Sequence, residues 1–275
     1  MRFLNECDLG ITGVDIFGFG CILFIVSYLG YIIYYAFGLY GINPFLKPSP
    51  LTTREENRLI GLIGFLGLLD EEKRAMFFKR VSWFRSKKTF SFKGPVENKE
   101  ELKLLISGAG ALLTLGMKNY KYIRSVRQIV IYPSEYYSII NKKHHLGEYN
   151  VGLKTLVFSA DTLVRGFENS TDNVNLAIHE FGHALFFETK GKNTWEAVRL
   201  QWGFKKLKKL HGTPELNKEA LGLNHFRKYG NTNVFELFSV LCENFMETPI
   251  HFKEKSPEVY RIVKQMLNYH FSKSH

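Results

Sequence analysis

The segment Asn175–Phe187, NLAIHEFGHALFF, contains two histidines and a glutamate in the pattern His-Glu-x-x-His. In a helix of about 3.6 residues per turn, His179 and His183 lie on the same face, so both imidazoles can bind one metal ion. Glu180 lies beside them, where a carboxylate can take a proton from a zinc-activated water and pass it to a leaving group. The surrounding residues are mostly apolar and predict a buried helix, in which these groups are costly unless they are paired or bind metal. The pattern therefore favours a catalytic Zn²⁺ site, although a five-residue match by itself also occurs by chance.

A catalytic zinc site needs a third protein ligand. The helix predicted for Asn233–Pro249 contains Glu236 and Glu243, which are seven residues apart and therefore share one face. We expect one of them to bind the metal and the other to orient a ligand histidine, but their spacing does not say which. The alternative is that both form ion pairs at the surface or between helices. His144 and His145 lie in a polar segment, and we expect them to be exposed to solvent.

The N-terminal segment 1–42 contains a long apolar run. From Ile16 to Tyr40 no residue is charged, and the run is long enough to cross a hydrocarbon core of about 30 Å. We predict an uncleaved transmembrane helix at about 16–40; a cleaved signal peptide is the alternative, but the run is long and lacks an obvious cleavage site. Basic residues are concentrated after the run, which predicts a single-pass membrane protein with its main domain in the cytoplasm.

The composition narrows the functional classes. The formal net charge is +11, which suits a domain held next to anionic lipid. We expect no nucleic-acid partner, since no nucleic-acid-binding motif accompanies the charge. Cys7, Cys21 and Cys242 are scattered and odd in number, which argues against a disulfide framework and against a cysteine zinc site.

The rest of the chain predicts a linker over residues 43–57, rich in proline and polar side chains, followed by a domain over residues 58–275. Predicted helices outnumber predicted strands, so the fold class is a mostly helical α+β domain behind one transmembrane helix. The order of a strand followed by the His-Glu-x-x-His helix is typical of zincin-like metallopeptidases, so we expect this type of domain. A strand precedes the histidine-containing helix, and we predict that it is an edge strand that binds an extended substrate through its main chain. Its residues are Thr155, Leu156, Val157, Phe158 and Ser159.

Longer motifs carry a family resemblance that covers the chain from about Glu71 onwards. These motifs are IVIYP, LVFSADTLVRG, NLAIHEFGHAL, YGNTNVFELFSVLCENFMETP and SPEVYRIVKQMLNY. Together they resemble the Mlc titration factor A family of zinc-dependent peptidases, which are gluzincins with an active site similar to that of anthrax lethal factor. The resemblance implies that Glu236 is the third zinc ligand. Glu243 is then the glutamate that orients a ligand histidine. It also implies that Tyr229 stabilises a tetrahedral oxyanion through its phenol.

The motifs and the resemblance together predict a zinc-dependent metallopeptidase that acts on peptides or proteins. Cleavage from the amino end, as in an aminopeptidase, and internal cleavage both remain open. A membrane-embedded metalloprotease is disfavoured because charged residues lie close to both ends of the motif. A second hypothesis is a membrane-tethered binding module: the resemblance implies relatives that engage a transcriptional regulator of sugar uptake, so the domain would act by sequestering such a partner.

Overall fold

The computed structural model describes residues 13–36, 48–138, 142–211 and 233–269. The chain divides into two compact units, Met1–Asn43 and Pro44–His275. In the first unit, helix α1 spans Gly13–Ala36. Its segment Ile16–Tyr34 has 19 residues and a mean hydropathy of 2.3, so it is long enough and apolar enough to cross a membrane. The predicted span continues to residue 40, beyond the part of this unit that the structure describes.

In the second unit, the first helix that the structure describes begins inside the predicted linker. Helix α2 spans Thr53–Leu62, so the last residues of the expected 43–57 linker are helical. The cause is a capping box: the Thr52 hydroxyl accepts a hydrogen bond from the Glu55 amide, and the Glu55 carboxylate accepts one from the Thr52 amide. Proline and polar residues indicated a linker, but the Thr-x-x-Glu spacing indicates where the helix begins.

Two helices form one side of the core. After a 3-10 turn at Gly64–Leu68, helix α3 spans Glu71–Lys87 and helix α4 spans Lys99–Leu113. The Asp70 carboxylate caps α3 by accepting a hydrogen bond from the Lys73 amide at 2.8 Å. Helix α4 is buried along almost all of its length and packs against α3 and against the histidine-containing helix.

A four-stranded sheet lies beside these helices. Strands β1 (Thr89–Phe92), β2 (Gln128–Tyr132), β5 (Gly147–Asn150) and β6 (Thr155–Ser159) are arranged in the order β1-β2-β6-β5. The first three strands in this order are parallel, whereas β5 is antiparallel to β6. Strands β3 (Tyr136–Ser138) and β4 (Lys143–His145) form a separate antiparallel pair.

The expectation that Thr155–Ser159 is an edge strand is wrong. Strand β6 pairs with β2 on one side and with β5 on the other, so its main-chain groups are already used within the sheet. Its apolar residues reflect this interior position, since Leu156 and Phe158 are both fully buried. Within the described part of the sheet, β5 is the outer strand next to β6.

The remaining helices complete a mostly helical α+β fold, in agreement with the predicted class. They are α5 (Ala160–Glu168), α6 (Leu176–Thr189), α7 (Trp195–His211), α8 (Val234–Glu247), α9 (Pro249–Lys255) and α10 (Pro257–Leu267). Helices α6 and α8 pack closely because residue 182 is glycine. A Cβ atom on Gly182 would lie 3.1 Å from the Ser239 Cα and 2.8 Å from its Oγ. This close approach brings the histidines of α6 next to the glutamates of α8.

Candidate metal centre

Helix α6 presents the two histidines side by side. Asn175 begins the helix by accepting a hydrogen bond from the Ile178 amide at 3.2 Å. His179 follows one turn after Asn175, and His183 follows one turn after His179. Their ring centroids are 5.0 Å apart, and their side chains are 15% and 16% exposed. Both rings are therefore largely buried, and both reach the surface of the same cavity.

Helix α8 brings a carboxylate to these rings. The Asn233 side chain caps α8 by accepting hydrogen bonds from the amides of Phe235 and Glu236, which places Glu236 in the first turn. Its two carboxylate oxygens lie 3.2 Å from His179 Nε2 and 3.3 Å from His183 Nε2. One donor atom from each of these three residues lies within 4.8 Å of the others.

Glu243 lies behind the histidines, two turns further along α8. Its carboxylate is fully buried, 2.7 Å from His179 Nδ1, and it accepts a hydrogen bond from the Asn175 amide, also at 2.7 Å. The contact at Nδ1 leaves His179 Nε2 directed towards Glu236. A carboxylate on the far nitrogen of a histidine is the usual way in which proteins orient a metal-binding imidazole.

The charges of this group are strongly coupled. Burial disfavours the charged ring of His179, but hydrogen bonds to Glu236 and Glu243 outweigh it and raise the pKa of His179 to about 10. The hydrogen bonds to His179 and His183 lower the pKa of Glu236 well below its usual range. Two imidazoles and one carboxylate that converge in this way fit a divalent ion, and His₂Glu is a known ligand set of catalytic zinc.

Glu180 is buried beside the two histidines. Its residue exposure is 6%, and burial raises the pKa of its carboxyl group, with the nearby charge of His179 and His183 acting in the opposite direction. A hydrogen bond from the Tyr149 backbone amide of β5 reaches the carboxylate. Glu180 is therefore held near the three convergent donors with a raised affinity for a proton.

A cavity of about 640 Å³ opens in front of these groups. The edge strand β5 forms one side of it, and the aromatic rings of Phe187 and Phe235 form part of another. The Phe186 ring packs against the Phe235 ring, with the two centroids 4.4 Å apart. The lining residues are His145, Gly147, Glu148, Tyr149, Val151, His179, Glu180, His183, Phe187, Asn233, Phe235 and Glu236.

The other residues predicted for the site have different outcomes. Tyr229 lies outside the described residues. None of the residues Thr155–Ser159 lines the cavity, and β5 occupies the place that was expected for them.

The structure also adds residues that sequence reasoning missed. His145 was expected in a solvent-exposed polar segment, but it lies on β4, lines the cavity and has a buried Nε2 with no hydrogen-bond partner among the described residues. Its neighbour His144 is exposed as expected, with 64% of its side chain accessible. The sequence around His145 is polar, and the short pairing of β3 with β4 that partly covers it is not visible as an apolar pattern.

A helix-rich α+β domain with a His-His-Glu group in a cleft, next to a buried glutamate, is similar to the sites of metal-dependent hydrolases. The model of the glucose-regulated metallo-peptidase M90 family matches residues 43–268. The match covers most of the chain, and the chain belongs to this family, which is the Mlc titration factor A family indicated by the sequence motifs. Family membership supports a metallopeptidase-type function. No curated protein matches the chain significantly.

Proposed function

We propose that this protein is a zinc-dependent metallopeptidase that hydrolyses peptide bonds, with His179, His183 and Glu236 as the metal ligands. The observation that carries the proposal is the convergence of these three donors next to the buried Glu180 carboxyl group. Bound there, Zn²⁺ supplies a Lewis acid that makes water more acidic and polarises a carbonyl group.

Glu180 acts as the general base and then as the general acid. Its carboxylate accepts a proton from the attacking water as the oxygen bonds to the carbonyl carbon of the substrate. The same proton then passes to the amine nitrogen when the carbon–nitrogen bond breaks. Burial favours the protonated form of Glu180 and so supports the first transfer, and the Tyr149 amide holds the carboxylate in place.

Two further residues support the chemistry. Glu243 is a positioning residue, since it contacts His179 Nδ1 and keeps Nε2 directed towards the cavity. Tyr229 is proposed to stabilise the oxyanion through its phenol, on the strength of the family resemblance alone.

The edge strand β5 is the proposed binding site for an extended substrate. An outer strand offers main-chain groups to a peptide that lies alongside it, and β5 borders the cavity through Gly147, Glu148 and Tyr149. The Tyr149 amide is already bonded to Glu180 and is not among the groups offered to the substrate. The rings of Phe187 and Phe235 offer an apolar wall for a substrate side chain. Peptides that differ only in acetylation of the amino end separate the two cleavage modes: an aminopeptidase requires the free amine, whereas an endopeptidase cleaves both.

The proposed location is a membrane, with α1 as a single-pass anchor and the catalytic domain on the cytoplasmic side. The length and apolarity of Ile16–Tyr34 support the anchor, and the excess of Lys and Arg after it supports the orientation. Extraction of cell membranes at high pH tests the anchor, because an integral protein stays in the pellet. Protease treatment of intact cells tests the side, because a cytoplasmic domain is protected.

The test of the metal site is the zinc content of the purified full chain in detergent, compared with Glu236→Gln and Glu243→Gln. We expect close to one zinc per wild-type chain, loss of most of it in Glu236→Gln, and weaker binding in Glu243→Gln. Loss of zinc only in Glu243→Gln would exchange the two roles, and no zinc in the wild type after metal is added would refute the proposal.

Cells that express Glu180→Gln test the alternative of a binding module that sequesters a regulatory protein. If hydrolysis is the main function, the cellular phenotype should be lost in this variant. If the phenotype persists although hydrolysis is abolished, binding is the main function and hydrolysis is secondary.

A further inference from the structure

Helix α7 has two very different faces. Its inner face carries Ala197, Leu200, Phe204 and Leu207, which are buried and pack towards α8 and α10. Its outer face carries three large apolar residues in solvent: Trp195 is 84% exposed, Val198 47% and Trp202 60%. Isolated exposed apolar residues are common, but two exposed tryptophans on one helix face need a reason.

The exposed residues form a single line that continues into lysines. Positions 195, 198, 202, 205 and 209 follow the three-and-four spacing of one helical face, and Lys205 and Lys209 are exposed. Lys206 lies beside this line, with its Nζ 4.1 Å from the centre of the Trp202 ring. We call Trp195, Val198, Trp202, Lys205 and Lys209 the outer stripe of α7.

The charge of α7 is one-sided. The helix contains Arg199 and four lysines but a single acidic residue, Glu196. The Glu196 carboxylate already accepts hydrogen bonds from the amides of Lys118 and Asn119, at 2.6 and 3.4 Å. The positive charge of the outer stripe is therefore not neutralised from within its own helix.

We propose that the outer stripe of α7 binds the surface of a lipid bilayer that contains anionic lipid. Tryptophan favours the membrane interface, where its ring is removed from water while its N–H group still finds a hydrogen-bond partner. The lysines of the stripe then contact lipid phosphates, and basic residues near an anionic surface are attracted to it. The apolar half of the stripe enters the interface, and the lysine half remains among the headgroups.

A bilayer is favoured over a nucleic acid or a protein partner by a second feature of the same chain. The helix segment Ile16–Tyr34 can cross a membrane, and a chain anchored by it keeps its other parts near a lipid surface. The inference uses the proposed anchor in this respect only, and it is independent of the metal chemistry, so failure of the peptidase proposal does not affect its test.

The chain contains three tryptophans, Trp83, Trp195 and Trp202, which makes fluorescence quenching a direct test. The full-length Trp83→Phe variant, in which only stripe tryptophans remain, is reconstituted in liposomes with lipid brominated near the headgroup. One set of liposomes contains phosphatidylcholine alone, and the other contains about 30% phosphatidylglycerol. We expect emission to fall at least about twofold in the anionic liposomes, with a clearly smaller fall in the neutral ones. If Trp83→Phe does not fold, the difference between the wild type and Trp195→Phe/Trp202→Phe gives the same quantity.

A pair of charge variants separates the stripe from general electrostatics. Lys205→Glu/Lys209→Glu changes two exposed lysines of the stripe, whereas Lys253→Glu/Lys255→Glu makes the same charge change on exposed residues of α9. We expect the first variant to lose most of the quenching and the second to keep it. An equal loss in both variants would overturn the assignment to the stripe.

Three other outcomes also overturn the proposal. Equal quenching in neutral and anionic liposomes would remove the role of anionic lipid. No quenching together with an emission shift that grows with the ratio of protein to lipid would assign the stripe to contacts between copies of the chain. No quenching by lipid, but quenching by a single-stranded oligonucleotide, would assign it to nucleic acid.

Discussion

Helix α6 contains two buried glutamates, Glu180 and Glu188. Glu180 faces a cavity, whereas Glu188 is surrounded by hydrogen-bond donors. Their residue exposures are 6% and 1%, so both lose most of their contact with water. Burial alone disfavours the charged form of a carboxyl group and raises its pKa. The two residues differ in what compensates for that cost.

Glu188 is surrounded by hydrogen-bond donors. Its carboxylate accepts bonds from the amides of Arg124 and Ser125, the Ser125 hydroxyl, the Asn119 amide group and the Lys192 ammonium group, at 2.7 to 3.2 Å. Burial raises its pKa, but the bonds and the charge of Lys192 outweigh this, and the pKa of Glu188 lies below its usual value. It anchors the loop before β2 to α6.

Glu180 faces a cavity instead of a ring of donors. Its pKa is raised by burial, and the Tyr149 amide and the neighbouring histidines compensate only in part. A carboxyl group with a raised pKa, next to three convergent donor atoms that could hold a metal ion, is suited to proton transfer. Burial is therefore common to both glutamates, whereas the smaller number of donors and the open cavity are specific to Glu180, the residue proposed as the general base.

The largest expected effect comes from Glu180→Gln. We predict that hydrolysis falls about 10³-fold, because the amide cannot accept the proton from water, while zinc content stays near that of the wild type. Peptide hydrolysis and bound zinc are measured on the same preparation. Since a carboxyl group with a raised pKa is lost, the free energy of unfolding should not decrease, and near-normal turnover would remove the mechanism.

Glu188→Gln is the matched change at the other end of the helix. We predict a loss of about 2–3 kcal/mol in the free energy of unfolding, because an amide cannot satisfy all the buried donors and leaves Lys192 without its charge partner. Urea unfolding measures it. The turnover of folded molecules should stay within about twofold of the wild type, and a much larger drop would show that Glu188 takes part in the chemistry.

Glu243→Gln tests a carboxylate that acts through another residue. We predict that zinc binds about 10- to 100-fold more weakly, since the far nitrogen of His179 loses its charged partner while all three ligands remain. Competition with a chelator measures the affinity. At saturating zinc most of the turnover should return, and a failure to recover would place Glu243 in the chemistry itself.

Local chemistry explains how much of this could be predicted from the sequence. The helical spacing of His179 and His183 and the two glutamates of α8 are local patterns, and the structure brings these residues together. Spacing alone did not distinguish Glu236 from Glu243, because the distinction depends on which carboxylate faces Nε2 and which faces Nδ1 of His179.

The errors concern contacts between distant segments. Strand β6 was assigned to the edge because it precedes the histidine-containing helix in the sequence, and its pairing with the polar segment Gly147–Asn150 is visible only in the fold. His145 was missed for the same reason. Main-chain pairing leaves little trace in the side-chain pattern when the strands are short and polar.

The smallest predicted effect concerns Glu247, a carboxylate one turn after Glu243 that tests whether a raised pKa by itself marks a catalytic residue. Burial raises the pKa of Glu247 to about 8, and neither of its carboxylate oxygens has a hydrogen-bond partner among the described residues. Glu247 does not line the cavity at the metal centre. We therefore expect Glu247→Gln to keep full turnover.

Its effect should appear in stability and depend on pH. Between the ordinary pKa of about 4.5 and the folded value of about 8, the unfolded chain has lost the proton and the folded chain keeps it, so stability falls as pH rises. A neutral glutamine removes this loss, and the variant should gain about 1–2 kcal/mol over the wild type at pH 8 and almost nothing near pH 4.5. Urea unfolding at both pH values measures the difference. A gain that does not depend on pH would mean that packing rather than ionisation is responsible. Lost turnover would mean that Glu247 takes part in the chemistry, and that a carboxyl group with a raised pKa can do so without lining the cavity.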